Sequence, residues 1–263
     1  MSTTNETPRL IGFRAAMAGA WTAFRKHAVT LIVAWFCLVL VNIIGNLIAR
    51  VVVVLVAESG DSGVAGFTIG LVVVGSLLIN PALWGGQAIL LLKAARDENP
   101  AVEDLFAGFG NYGNFLGASL IGLGIFALII APFPLCAFLT EELWWGLADW
   151  VTWVMIALSI LISLTLVWFV WPRYVFAVFA VADGAGPIEA YATSALLTKS
   201  IRPTVLGILL LLLLVAMSGL VACYVGILVT APLAGIALAL VYSRLADRGV
   251  LPAECTKDDT ARQ

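Results

Sequence analysis

The stretch AVTLIVAWFCLVLVNIIGNLIARVVVVLVA, residues 28 to 57, decides the class of this protein. It carries one charge, Arg50, and is longer than the roughly 20 apolar residues needed to cross about 30 Å of hydrocarbon. Its other interruptions, Asn42 and Asn46, precede Arg50 at four-residue intervals, so a helix gathers all three on one stripe.

The rest of the chain agrees with this stretch. Hydrophobic residues make up 62% of the sequence and charged residues 11%. A soluble domain carries roughly 25% charged residues to cover its core, so lipid must act as this chain's solvent. The net charge of −2 gives no basic field for nucleic acid. Four cysteines, Cys37, Cys136, Cys223 and Cys255, lie in separate segments with no ligand spacing, which points to apolar or free thiols. No metal or cofactor is expected.

Further apolar blocks run over 66–92, 115–139, 143–182 and 204–242. The block 143–182 lacks turn chemistry between Gly146 and Pro172 and reads as one long helix starting in an aromatic belt at Trp144-Trp145. The block 204–242 is too long for one crossing and divides at a tight hairpin around Cys223–Gly226. The expectation is an all-α polytopic membrane protein with six transmembrane helices over 29–244, an N-terminal cytoplasmic amphipathic segment over 1–28 and a polar cytoplasmic tail over 245–263. With both termini inside, every one of the 14 lysines and arginines except Arg50 falls on the cytoplasmic side, while Glu58, Asp61, Glu141 and Glu142 fall outside. Five or seven spans would put Arg244, Arg248, Lys257 and Arg262 on the wrong side. The expected location is a bacterial cytoplasmic (inner) membrane.

Within 1–28 no continuous apolar run suggests a cleaved leader. Leu10, Phe13, Met17, Trp21 and Phe24 instead share one helical face. Two readings stand: a helix lying at the lipid headgroups, or a helix packed on the protein itself. A threefold pattern is also visible. Cytoplasmic amphipathic stretches at 10–24, 100–109 and 187–200 each precede an outward span and a returning span that contains Pro81, Pro172 or Pro232. These prolines are expected as helix breaks. Three helix-hairpin repeats or chance proline placement both account for the pattern.

The segment Ala-Asp-Gly-Ala-Gly-Pro-Ile-Glu-Ala-Tyr (182–191), followed by Ser194 and Leu197-Thr198-Lys199 and preceded by Arg173-Tyr174, resembles a bacterial membrane superfamily. It is the one that includes the glycerophosphoryl diester phosphodiesterase membrane domain. Asp104-Leu105-Phe106 with Gly108-Phe109 is similar to that family's segment after the second span. The resemblance implies a six-helix membrane module, often fused to or encoded beside other activities. The phosphodiesterase chemistry belongs to a separate soluble domain, for which this sequence has no room, and no catalytic residue transfers.

No metalloprotease helix, phosphate-binding loop or nucleophile elbow occurs. The single histidine, His27, sits beside Arg25-Lys26 and reads as a headgroup-level polar residue. The sequence therefore predicts a non-enzymatic membrane module or accessory subunit, with membrane lipids and a protein partner or a second copy as its contacts. The alternative is a small-solute or lipid transporter or lipid-handling protein. It would use an intramembrane polar cavity formed by Asn42, Asn46, Arg50, Asn80, Gln87 and Arg173, because polar groups inside a membrane face protein or water.

Overall fold

A computed structural model of the chain describes residues 13–57, 62–132, 149–199, 201–221 and 226–247. The expectations placed on Leu10, on the acids of the two loops, on Trp144-Trp145, on most of the 223–226 turn and on the tail beyond 247 lie outside those residues.

Among the described residues there are eight α-helices, one 3-10 helix and no strand. They are α1 (Phe13–Ala57), α2 (Ser62–Arg96), the 3-10 helix (Val102–Phe109), α3 (Tyr112–Ile130), α4 (Asp149–Tyr174), α5 (Ala177–Ala182), α6 (Pro187–Thr198), α7 (Arg202–Val221) and α8 (Ile227–Leu245). Six of the segments are long and apolar enough to cross a membrane: α1, most of α2, α3, α4 with α5, most of α7, and α8. The order repeats a short helical segment followed by two long helices, and α1 with α2, α3 with α4 and α7 with α8 pack as pairs.

At about 1.5 Å per residue α1 reaches nearly 70 Å, more than one bilayer. The helix bends at His27, whose φ of −118° and ψ of 21° leave the helical region. Before that bend, Ala16, Ala20 and Phe24 are buried while Trp21 is exposed. The N-terminal amphipathic face is thus packed on the protein itself, with α8 as the main neighbour of α1. Gly19 allows this closeness, since a Cβ there would touch Leu240.

The core lies where α1, α2, α5, α7 and α8 meet. Phe176, Tyr242, Leu31, Leu90, Ile236 and Val205 are almost fully buried there, and the Tyr242 ring lies against Phe176 and Phe179. The 3-10 helix folds back on α2, and backbone touches backbone. A Cβ at Gly86 would collide with the Leu105 carbonyl, and one at Gly108 with the Ala82 carbonyl. Only glycine fits at either position.

The long helix expected over 143–182 is two helices where it is described. The division falls after Tyr174, and Ser194 of α6 causes it. The Ser194 hydroxyl donates to the Arg173 carbonyl at 2.7 Å and accepts from the Phe176 N–H at 3.2 Å. A side chain inserted into the ladder in this way interrupts a helix. The prolines behave differently from the expectation that they break helices. Pro81 and Pro232 lie inside continuous α2 and α8, and Pro172 lies inside α4. Each costs one ladder bond, and neighbouring groups can compensate the freed carbonyls. Near Pro81, which frees the Leu77 carbonyl, the Tyr112 hydroxyl donates to the next carbonyl, that of Leu78, at 2.9 Å.

Candidate functional site

The strongest polar cluster joins segments far apart in sequence. α2 ends at Asp97, whose φ of 63° is left-handed, and the Glu98 N–H closes the helix on the Lys93 carbonyl at 2.9 Å. This turn presents the Asp97 carboxylate to the bend in α1. Lys26 donates to both its oxygens at 2.6 and 2.7 Å, and His27 Nε2 lies 3.4 Å away. Lys26 first and then His27 hold the Asp97 carboxyl below its ordinary value. One turn back, Lys93 donates to Asp104 at 2.6 Å, and the other Asp104 oxygen accepts the Ala101 N–H that opens the 3-10 helix. Arg96 grips Asp183 with two bonds of 2.7 and 2.8 Å, and Tyr242 donates to the same carboxylate at 3.0 Å. These pairs tie α1, α2, the 3-10 helix, the residue after α5 and α8 together. Each of these cations meets a carboxylate, so the cluster holds the segments in place.

The predicted polar cavity is only partly assembled. Asn42, Asn46 and Asn80 line one groove of about 300 Å³ between α1 and α2. Arg50 does not reach it but lines a second, shallower groove with Asn42, Asn46, Trp35 and Trp84. Both amides on α1 use their N–H groups locally, Asn42 on the Leu38 carbonyl at 2.9 Å and Asn46 on the Asn42 carbonyl at 2.8 Å. Gln87 is buried on α2, away from these grooves, with its Oε1 unpartnered. Arg173 sits at the end of α4 with its Nε buried and unpartnered, and no carboxylate among the described residues pairs with it. The six residues therefore divide among separate surroundings.

A different site, unmarked by polar pattern, is better enclosed than either groove. An apolar cleft of about 490 Å³ opens where α2, α3, α4, α5, α6 and α8 converge. Its walls include Trp84, Phe115, Phe126, Trp171, Tyr174 and Tyr191. The Tyr191 hydroxyl is engaged with the Ala118 carbonyl at 2.9 Å, and the Tyr174 ring lies 5.2 Å from the Tyr191 ring. Close packing of α3 depends on Gly117 and Gly122, since a Cβ there would press on Pro187 and on the Tyr191 hydroxyl.

The outer halves of α1 and α2, toward residues 57 and 62, are distinct again. From Val41 onward in α1, and before Asn80 in α2, most side chains are exposed and apolar. A Cβ at Gly45, Gly66, Gly70 or Gly75 would meet nothing within 4 Å. Gly66 and Gly70 form a small-xxx-small pair, a spacing that lets membrane helices approach closely.

Sequence reasoning missed Arg96, Asp183, Lys93, Asp104, Tyr242 and Ser194 as a connected set. A signal was available, because Asp104, Asp183 and Ser194 all lie in the segments that carry the family resemblance. No protein-family model, curated protein or solved structure matches this chain.

Proposed function

We propose that this chain is a non-enzymatic membrane module, an accessory subunit that receives a transmembrane helix of a partner protein on the outer part of its α1–α2 hairpin. One observation carries the reading. On the packed part of α1 and α2, Gly19, Gly85 and Gly86 abut the chain's own atoms, whereas Gly45, Gly66, Gly70 and Gly75 of the same two helices are open. Helix association in lipid relies on close backbone approach and on polar side chains, and Asn46 and Arg50 are exposed on the same hairpin. The distribution of basic residues supports a bacterial cytoplasmic membrane with both termini inside. The resemblance to six-helix membrane modules supports an accessory role.

The test is cross-linking in native membranes from a cysteine placed at Gly70, with Cys37, Cys136, Cys223 and Cys255 replaced by serine. A cross-linked second polypeptide, lost when Gly66 is changed to leucine, is expected. A product of twice the mass would identify the partner as a second copy, and monomer alone would overturn the reading.

The second reading, a transporter or lipid-handling protein, draws support from the groove shared by Asn42, Asn46 and Asn80. It requires that Asn80→Leu abolish solute or lipid movement in proteoliposomes while the protein stays folded.

A further inference from the structure

The cleft between α2, α3, α4, α5, α6 and α8 has a size, a lining and a neighbouring charge that together select an occupant. Its volume of about 490 Å³ lies within the ~300–1,000 Å³ of sites that take a drug-sized ligand. A helix about 10 Å across would use that space in roughly one turn, so the cleft is too small for a partner's helix. Water is a poor occupant as well. The walls are largely aromatic and aliphatic, and Tyr191 already gives its proton to Ala118, whereas ordered water needs two to four polar contacts. The rim faces outward, because Trp84, Phe126 and Trp171 are each about half exposed on the apolar flank. In a bilayer that flank meets acyl chains.

Arg173 supplies the charge. Arg173 is not itself one of the walls, but Val170, one turn before it on α4, and Tyr174 and Val175, which follow it directly, are. Arg173 falls inside the membrane-crossing stretch Trp153–Ala182. Lys26, Lys93 and Arg96 have acids, but Arg173 has none among the described residues. A guanidinium at such a place needs an anion, and a phosphate oxygen pair suits its planar fork.

We propose that this cleft is a specific site for an anionic glycerophospholipid of the surrounding membrane, with one acyl chain between the aromatic walls and the phosphate on Arg173. The site is independent of whatever docks on the α1–α2 hairpin. Its purpose is to complete the α3–α4 side of the molecule, where helix pairing is sparse.

The experiment is native mass spectrometry of the full-length protein offered equal amounts of phosphatidylglycerol and phosphatidylcholine. The wild type is expected to keep one lipid, with phosphatidylglycerol favoured about tenfold, the effect of one charge-assisted contact. Arg173→Gln should retain a lipid and lose the preference, and Arg173→Lys should recover part of it. Ser119→Phe, which places a ring in the cleft from an exposed position, should remove the lipid itself. A preference unchanged in Arg173→Gln, or a wild type that binds inorganic phosphate but no lipid, would overturn the proposal. Should the variants fail to fold, wild-type protein labelled by phosphatidylglycerol with a photoreactive acyl chain decides the matter. Adducts on Trp84, Phe126 or Trp171 support the site, and adducts confined to other helices overturn it.

Discussion

The two ends of the α1–α2 hairpin use the same residue types for opposite purposes. Near residues 19 and 86, glycine lets the chain touch itself, and the cations 26, 93 and 96 each meet a carboxylate. Near residues 45 and 66–75, glycine faces open space, and Arg50 has no carboxylate among the described residues. The difference is one of completion: one end is satisfied by this chain, and the other is the end on which we propose a partner docks.

The largest break in that contrast should come from glycine. Gly86→Leu drives a side chain into the 3-10 backbone and should abolish the folded protein, because overpacking against backbone has no relaxed alternative. Gly70→Leu should change unfolding stability by less than about 1 kcal/mol. Denaturant titration of helical signal in detergent compares the two. Equal losses would erase the distinction between the ends.

Next in size is the Arg96–Asp183 link. Asp183→Asn removes a charge that accepts from both Arg96 and Tyr242 and should cost about 2 kcal/mol, read from the same titration. Arg50→Gln on the outer part should cost nothing measurable. Ser194→Ala should cost about 1 kcal/mol, the value of one buried hydrogen bond. It should also slow backbone hydrogen exchange at Phe176, provided α4 and α5 then join.

The smallest effect belongs to Asp97. Its lowered carboxyl value means that the folded state favours the ionised form, so the stabilisation is present above the ordinary value of 3.8 and fades as pH falls below it. Asp97→Asn keeps a residue type tolerant of the left-handed turn. The thermal midpoints of wild type and Asp97→Asn should therefore differ slightly at pH 7 and converge toward pH 3.

Much of the fold is legible in the sequence because lipid imposes a simple rule, an apolar run long enough to cross. The helix pairs and the division of the 204–242 block into α7 and α8 follow from it. The single polar cavity did not follow, because periodicity places Asn42 and Asn46 on a stripe but says nothing of what the stripe meets. Their own helix's carbonyls accept their protons. The division after Tyr174 was hidden for a related reason: its cause, Ser194, lies 18 residues from the amide it accepts from. The aromatic cleft carries no sequence period at all, since its walls come from six helices.

The neighbourhood of α1 and α8 has a consequence in time. A chain emerging from the ribosome delivers α1 first and α8 last, yet these helices cover each other. At about 5–20 residues per second, the faces of Ala16, Ala20 and Leu31 wait some tens of seconds for Ile236 and Tyr242. During that interval those apolar faces meet lipid instead of α8. Synonymous codons that slow translation before residue 227 would lengthen the wait, and misassembled or degraded chains should then increase while the finished protein stays unchanged.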